Sequence, residues 1–200
     1  LQVFTNADET IEIGTSSDGT GNLELLINGQ PHSGLQAFPV SQIEAIHVVG
    51  GAGGNRIDLS RVNSSDFSFI DPNTGEGPEI LVEGGDGDDT IDAGAGNNRI
   101  NGGNGNNTVT TGDGDDTIIT GDGDDIIFPG QGINRIDAGL GKNTIYETRF
   151  DGSTLSDIDF VNRGSNQNES QISPSVDPIT SSTSDAANAG ATGFNRRSLS

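Results

Sequence analysis

Residues 84–146 read GGDGDDTID, AGAGNNRIN, GGNGNNTVT, TGDGDDTII, TGDGDDIIF, PGQGINRID and AGLGKNTIY, seven consecutive nonapeptides with no residue left over. Glycine holds positions 2 and 4 of every copy. Position 6 is always a short side chain carrying an oxygen: Asp89, Asn98, Asn107, Asp116, Asp125, Asn134 and Asn143. Position 8 is always a β-branched aliphatic: Ile91, Ile100, Val109, Ile118, Ile127, Ile136 and Ile145. A strict short period of this kind implies one structural unit repeated and stacked, with a core shared between neighbours.

Each constant position has a physical task. Glycines two apart let the chain take positive φ twice and turn sharply, leaving backbone carbonyls free to converge. Asp or Asn at position 6 adds a side-chain oxygen to that cup, and Ca²⁺ takes six to eight such hard donors. Position 8, flanked by threonine and other strand formers, sits on a short strand and points inward.

The pattern G-G-x-G-x-D-x-U-x resembles the RTX (repeats-in-toxin, haemolysin-type) calcium-binding family of secreted bacterial proteins. The resemblance covers about a third of the chain and implies an all-β fold, a right-handed parallel β-roll or β-solenoid. It implies that two nonapeptides make one coil and that ions lie between turns on the same edge, two repeats apart. Asp89, Asn107, Asp125 and Asn143 then share one edge, and Asn98, Asp116 and Asn134 the other. Every such neighbouring pair holds one Asp and one Asn where the family motif prefers two aspartates. Lower ligand charge weakens calcium binding, and Asp86, Asp113 and Asp122 at position 3 are expected to restore some of it. Gln131, Ile133, Leu140 and Lys142 make the sixth and seventh turns the poorest, a cap more than a pair of sites.

Composition fits a cation partner. Thirty acidic against nine basic residues give a net charge of -21, opposite to the basic surface that nucleic acid requires. An acidic run alone reads as a solvated face, but here the carboxylates recur in phase with glycine and isoleucine. With no cysteine there is no disulfide framework and no cysteine-based metal or redox site. No stretch reaches the roughly 18 apolar residues of a membrane-spanning helix, and no signal peptide opens the chain. Leu1 in place of Met points to a fragment or a processed product.

Outside the array, residues 1–58 read as a degenerate, strand-rich, solenoid-like region of irregular β strands. GGAGGNRID at 50–58 is a further nonapeptide, with Asn55 and Ile57 at positions 6 and 8, and FTNADETIE at 4–12 is a copy lacking the glycines. Leu23–Asn28 and Gln42–Val49 read as strands, with turns at Asp18-Gly19, Asn28-Gly29 and Pro31. Residues 59–83 read as an inserted loop and a strand ending at Val82, and 147–162 as a C-terminal cap of the kind that shields a solenoid's open end. From 163 to 200 the chain is Ser-, Asn- and Thr-rich with few bulky apolar residues, the signature of a disordered tail. Its ending FNRRSLS does not resemble the acidic-then-apolar secretion signal often found in the family.

Catalytic motifs are missing from the sequence. There is no G-x-S-x-G elbow and no H-E-x-x-H, and His32 and His47 read as ordinary surface or core histidines. The repeated turns already account for carboxylates that could imitate a glycosidase pair. An EF-hand counted from Asp113 would place Ile118 and Asp124 where the loop needs Gly and Glu. A threonine ladder for ice binding is absent, since position 3 carries Asp, Ala, Asn, Gln and Leu. The expectation is a non-catalytic, calcium-dependent structural or adhesion module of an extracellular or cell-surface protein. Its ligand is calcium ions, with no nucleic acid and no membrane span; no cell-surface or polysaccharide partner can be named. The alternative is the calcium-binding segment of a larger exported enzyme, such as a protease, lipase or polysaccharide-modifying enzyme.

Overall fold

The computed structural model describes residues 1–5, 8–16, 20–32, 38–62, 79–146 and 160–162, the last three by backbone alone. The expectations for Asp18-Gly19, most of the inserted loop, residues 147–159 and the tail lie outside these residues. The described part is all-β, apart from one 3-10 turn at Val40–Gln42.

Two sheets are built by one chain that crosses between them repeatedly, and from Ala45 onward at every strand. One contains, in order, β1 (Gln2–Phe4), β5 (Ala45–Val49), β7 (Glu79–Asp86), β9 (Asn98–Asn104), β11 (Thr117–Ile119), β13 (Arg135–Asp137) and β15 (Phe160–Asn162). The other runs β14 (Thr144–Ile145), β12 (Ile126–Phe128), β10 (Thr108–Thr110), β8 (Thr90–Asp92), β6 (Arg56–Arg61), β2 (Thr10–Thr15), β3 (Leu23–Ile27) and β4 (Gln30–Pro31). From β5 onward odd-numbered strands join the first sheet and even-numbered strands the second, and all of these neighbours are parallel.

The nonapeptide period produces this arrangement. A three-residue strand at positions 7 to 9 followed by a glycine turn sends the chain to the opposite sheet, and two repeats bring it back beside itself. Position 8 therefore stacks on position 8 two repeats away. Ile57, Ile91, Val109, Ile127 and Ile145 align in one sheet, and Ile100, Ile118 and Ile136 in the other. All eight are at most 1% exposed and belong to one buried cluster with Ala93 and Ala138. Burying each such aliphatic contributes about 1.5–3 kcal/mol.

Upstream the same columns continue on an irregular sequence. Ile11 stacks on Ile57, and Val82 links Ile100 to Val48. The core is widest here, because β2 and β3 pair antiparallel and bury Ile13, Leu23 and Leu25, with Val40, Ile43, Ile46 and Leu59 packed in the same cluster. The Asn28-Gly29 turn has positive φ at both residues, 54° and 72°, which suits a two-residue hairpin to β4.

Four boundaries differ from the sequence reading. The strand expected over Gln42–Val49 starts at Ala45, after the 3-10 turn. Pro31 belongs to the short edge strand β4, where a missing backbone N–H is tolerated. Leu59–Arg61 extend β6 instead of opening a loop. The strand expected to stop at Val82 runs to Asp86, because the glycine turn itself stacks in register, with Gly85 opposite Gly103 and Asp86 opposite Asn104.

Candidate metal centre

The glycine turns form two columns, and backbone hydrogen bonds zip each column together. Position 4 donates its N–H to the position-3 carbonyl of the next turn on its edge, as in Gly87 to Asn104, Gly96 to Asp113, Gly105 to Asp122 and Gly123 to Leu140, each 2.8 Å. Position 7 donates back to the preceding position-6 carbonyl, as in Thr108 to Asp89 and Arg135 to Asp116, both 2.8 Å. Such close stacking needs glycine. Gly103 has φ +84°, and a Cβ there would overlap the Gly85 carbonyl of the turn beneath.

Side chains add two further ladders of opposite polarity. At position 6, Oδ1 accepts the backbone N–H of the position-6 residue one turn upstream. Asn107 bonds Asp89 at 3.0 Å, Asp125 bonds Asn107 at 2.8 Å and Asn143 bonds Asp125 at 2.9 Å on one edge. Asp116 bonds Asn98 at 2.8 Å and Asn134 bonds Asp116 at 2.9 Å on the other. At position 5 the bonds run downstream: Oδ1 of Asp88, Asn97, Asn106, Asp115 and Asp124 accepts the N–H of Asn106, Asp115, Asp124, Ile133 and Lys142, at 2.7–2.8 Å. Each turn is therefore held from both sides.

The seven position-6 side chains are thus brought together in two files, all at most 3% exposed. Asp86, Asp113 and Asp122 are placed differently. Their position-3 side chains are exposed, and Asp86 Oδ1 accepts a bond from Asn104 Nδ2 at 3.0 Å on the outside of the turn. Asn55, which lies outside the seven repeats of the array, joins the first file. Its backbone N–H donates to Asp89 Oδ1 at 2.7 Å, and its own Oδ1 accepts the Glu9 N–H at 3.2 Å. The signal for it was present in the register of GGAGGNRID. The position-5 ladder carried no such signal, because an exposed Asp or Asn in a turn looks like solvated loop.

All seven are buried, but their hydrogen bonding differs, and Asn98, which opens its file, leaves its own Oδ1 buried and without a partner. Oδ2 of Asp89, Asp116 and Asp125 is buried and has no hydrogen-bond partner. A buried carboxylate oxygen without a donor is costly. Burial accordingly pushes the Asp116 carboxyl up to about 7, against the opposing effects of the Thr111 hydroxyl and the Asn98 amide. Burial likewise raises Asp89 to about 6, opposed by the Asn55 amide, and raises Asp125. The buried Thr120 hydroxyl lies beside Asp125 and opposes that rise.

These orphaned oxygens fit a cation. Each belongs to a glycine turn, Asp89 Oδ2 lying close to Gly84 on the side of the Gly102 carbonyl, and an oxygen-only donor set suits Ca²⁺ better than a transition metal. The sites are not clusters of acidic side chains: among the described residues no three His, Cys, Asp or Glu side chains converge on one point. One carboxylate per aspartate turn, with backbone carbonyls as the other donors, is the available coordination set. Outside the turns, His47 Nε2 lies 2.8 Å from Glu83 Oε1 on neighbouring strands, while His32 is exposed.

Comparison with protein families agrees with the donor chemistry. The model of the RTX calcium-binding nonapeptide repeat matches in four copies, over residues 81–109 and 101–136. Residues 81–136 are RTX calcium-binding nonapeptide repeats. RTX repeats bind Ca²⁺, and the matched span holds six position-6 residues of the array, from Asp89 to Asn134, with all three orphaned carboxylates among them. The family match ends near Asn134, while the RTX-like ladder continues to Asn143. No curated protein and no solved structure matches the chain significantly.

Proposed function

We propose that the chain is a calcium-loaded, right-handed parallel β-roll that serves as a non-catalytic structural or adhesion module of a secreted or cell-surface protein. The supporting observation is the set of three buried, unpartnered carboxylate oxygens held in carbonyl-rich glycine turns. From β5 onward, alternation of consecutive strands between two sheets with parallel neighbours supports the β-roll. Calcium in these turns neutralises charge at the points where the fold is least satisfied, so binding free energy becomes folding free energy. A protein exported into calcium-rich surroundings would then fold where it works.

The non-catalytic reading draws on the repetition itself. Every turn offers similar chemistry, and a catalytic centre needs a nucleophile, a base and an orienting group converging at one cleft. Among the described residues no helix is long and apolar enough to cross a membrane.

The test is thermal unfolding of the chain with calcium and with a chelator, paired with activity assays on peptide, ester and polysaccharide substrates. The expected result is a large calcium-dependent rise in the midpoint and no turnover. An unchanged midpoint contradicts the calcium reading, and saturable turnover contradicts the structural one.

A further inference from the structure

We propose that the position-6 asparagines are built-in substitutes for the metal, so that the chain takes one ion at each of Asp89, Asp116 and Asp125 and none at its asparagine turns. The inference rests on the calcium reading above and specifies which turns are loaded.

The Asn turns close themselves. Asn98 Nδ2 donates to the carbonyls of Gly94 at 3.1 Å and Gly96 at 2.7 Å, positions 2 and 4 of its own turn, and to Thr111 O of the next turn on that edge at 3.1 Å. Asn107 Nδ2 makes the same pair of bonds, to Gly103 at 3.2 Å and Gly105 at 3.1 Å. Asn55 reaches Gly53 at 2.8 Å, Asn134 reaches Gly132 at 3.5 Å and Asn143 reaches Ala138 at 2.6 Å. In all five turns an amide N–H occupies the carbonyl cup.

The Asp turns have the same geometry with the donor removed. Apart from Asn98 at the head of its file, Oδ1 makes the same ladder bond in both kinds of turn, so Asp Oδ2 takes the place of Asn Nδ2. A Cβ on Gly84 would meet Asp89 Oδ2, just as one on Gly50 would meet Asn55 Nδ2. One atom is exchanged: an N–H donor becomes an oxygen acceptor facing other acceptors. That turn needs a cation, whereas an ion entering an Asn turn would have to displace the amide from its carbonyls.

The order of residues sharpens this. One edge runs Asn55, Asp89, Asn107, Asp125, Asn143 and the other Asn98, Asp116, Asn134. Every aspartate has an asparagine on each side. No two buried carboxylates are adjacent, and no ion could draw on two of them in neighbouring turns. The ratio of Asp to Asn therefore sets how strongly folding depends on calcium.

Native mass spectrometry and calorimetric titration of the full chain with Ca²⁺ test the assignment. Three tightly held ions are expected, falling to two in Asp116→Asn and rising to four in Asn107→Asp. The triple variant Asp89→Asn, Asp116→Asn, Asp125→Asn should hold none, and its circular dichroism should be indifferent to chelator. Six ions, one for each neighbouring pair of turns, or an unchanged count in the single variants, overturns the proposal and leaves the calcium reading intact. A parent chain that holds no ion overturns both. A triple variant that stays unfolded overturns the idea that an amide replaces the ion, and the single-variant counts test the assignment independently.

Discussion

Asp125 Oδ1 accepts the backbone N–H of Asn107 at 2.8 Å across 18 residues, and its own N–H donates to Asn143 Oδ1 at 2.9 Å. Asp125 thus ties three turns together, whereas Asn143 is the downstream end of the described file. Asp125→Ala removes an acceptor and an orphaned carboxylate at once. Asn143→Ala removes only an acceptor and its amide. Leaving a buried N–H unpaired costs about 1–3 kcal/mol in either case, but only Asp125→Ala should also lower calcium affinity. Urea unfolding in excess calcium, together with calcium titration of both variants, checks this; equal affinities contradict the ladder assignment.

Proton and calcium should compete at the aspartate turns. Burial raises Asp89 to about 6 and Asp116 to about 7 in the folded chain, against roughly 4 in an unfolded one. A raised folded pKa gives stability that is complete below the unfolded value and lost as pH rises through the folded one. The calcium-free fold should therefore be more stable at about pH 5 than at about pH 8. Calcium affinity should move the other way, because it needs the ionised carboxylate. Thermal midpoints of metal-free protein and calcium titrations at both values check the pair of trends.

Ile118 lies between Ile100 and Ile136 with 0% exposure. Ile118→Ala should cost about 2–5 kcal/mol, the transfer term plus the cavity left in a core one residue wide. Calcium-saturated denaturant unfolding measures it. Exposed Ile133 provides the contrast: with 44% exposure, Ile133→Ala should change stability by about 0.5 kcal/mol or less.

Gly103→Ala should be worse than either, because positive φ and overlap with the Gly85 carbonyl combine at one residue. The expected outcome is loss of ordered β structure in the array at any calcium concentration, read by circular dichroism. A variant with parental calcium response would contradict the turn stacking.

Much of the array was legible because its period is strict. Spacing gives the inward residues from Ile91 to Ile145, and the family resemblance, which implies two repeats to a coil, gives the grouping of position-6 residues 18 apart. Spacing does not say which way an Oδ1 points, so the opposed ladders of positions 5 and 6 could not be read from it. Nor does it reveal that Asn98 Nδ2 turns into its own carbonyl cup. The first sheet was hidden upstream for another reason: Asn98 aligns with Ile80, and Val82 with Val48, where apolar strands replace the nonapeptide and its glycines. The β2–β3 pairing was equally obscure, since local strand signals carry no information about partner or direction.

The most direct measurement is a calcium titration of the metal-free chain at about pH 8, followed by far-ultraviolet circular dichroism. The expected result is a saturable gain of β signal that a chelator reverses, because Asp89, Asp116 and Asp125 each bury a carboxylate oxygen without a hydrogen-bond partner, a charge that a cation neutralises. A metal-free sample that already shows the full β signal, and does not respond to calcium, would contradict the account.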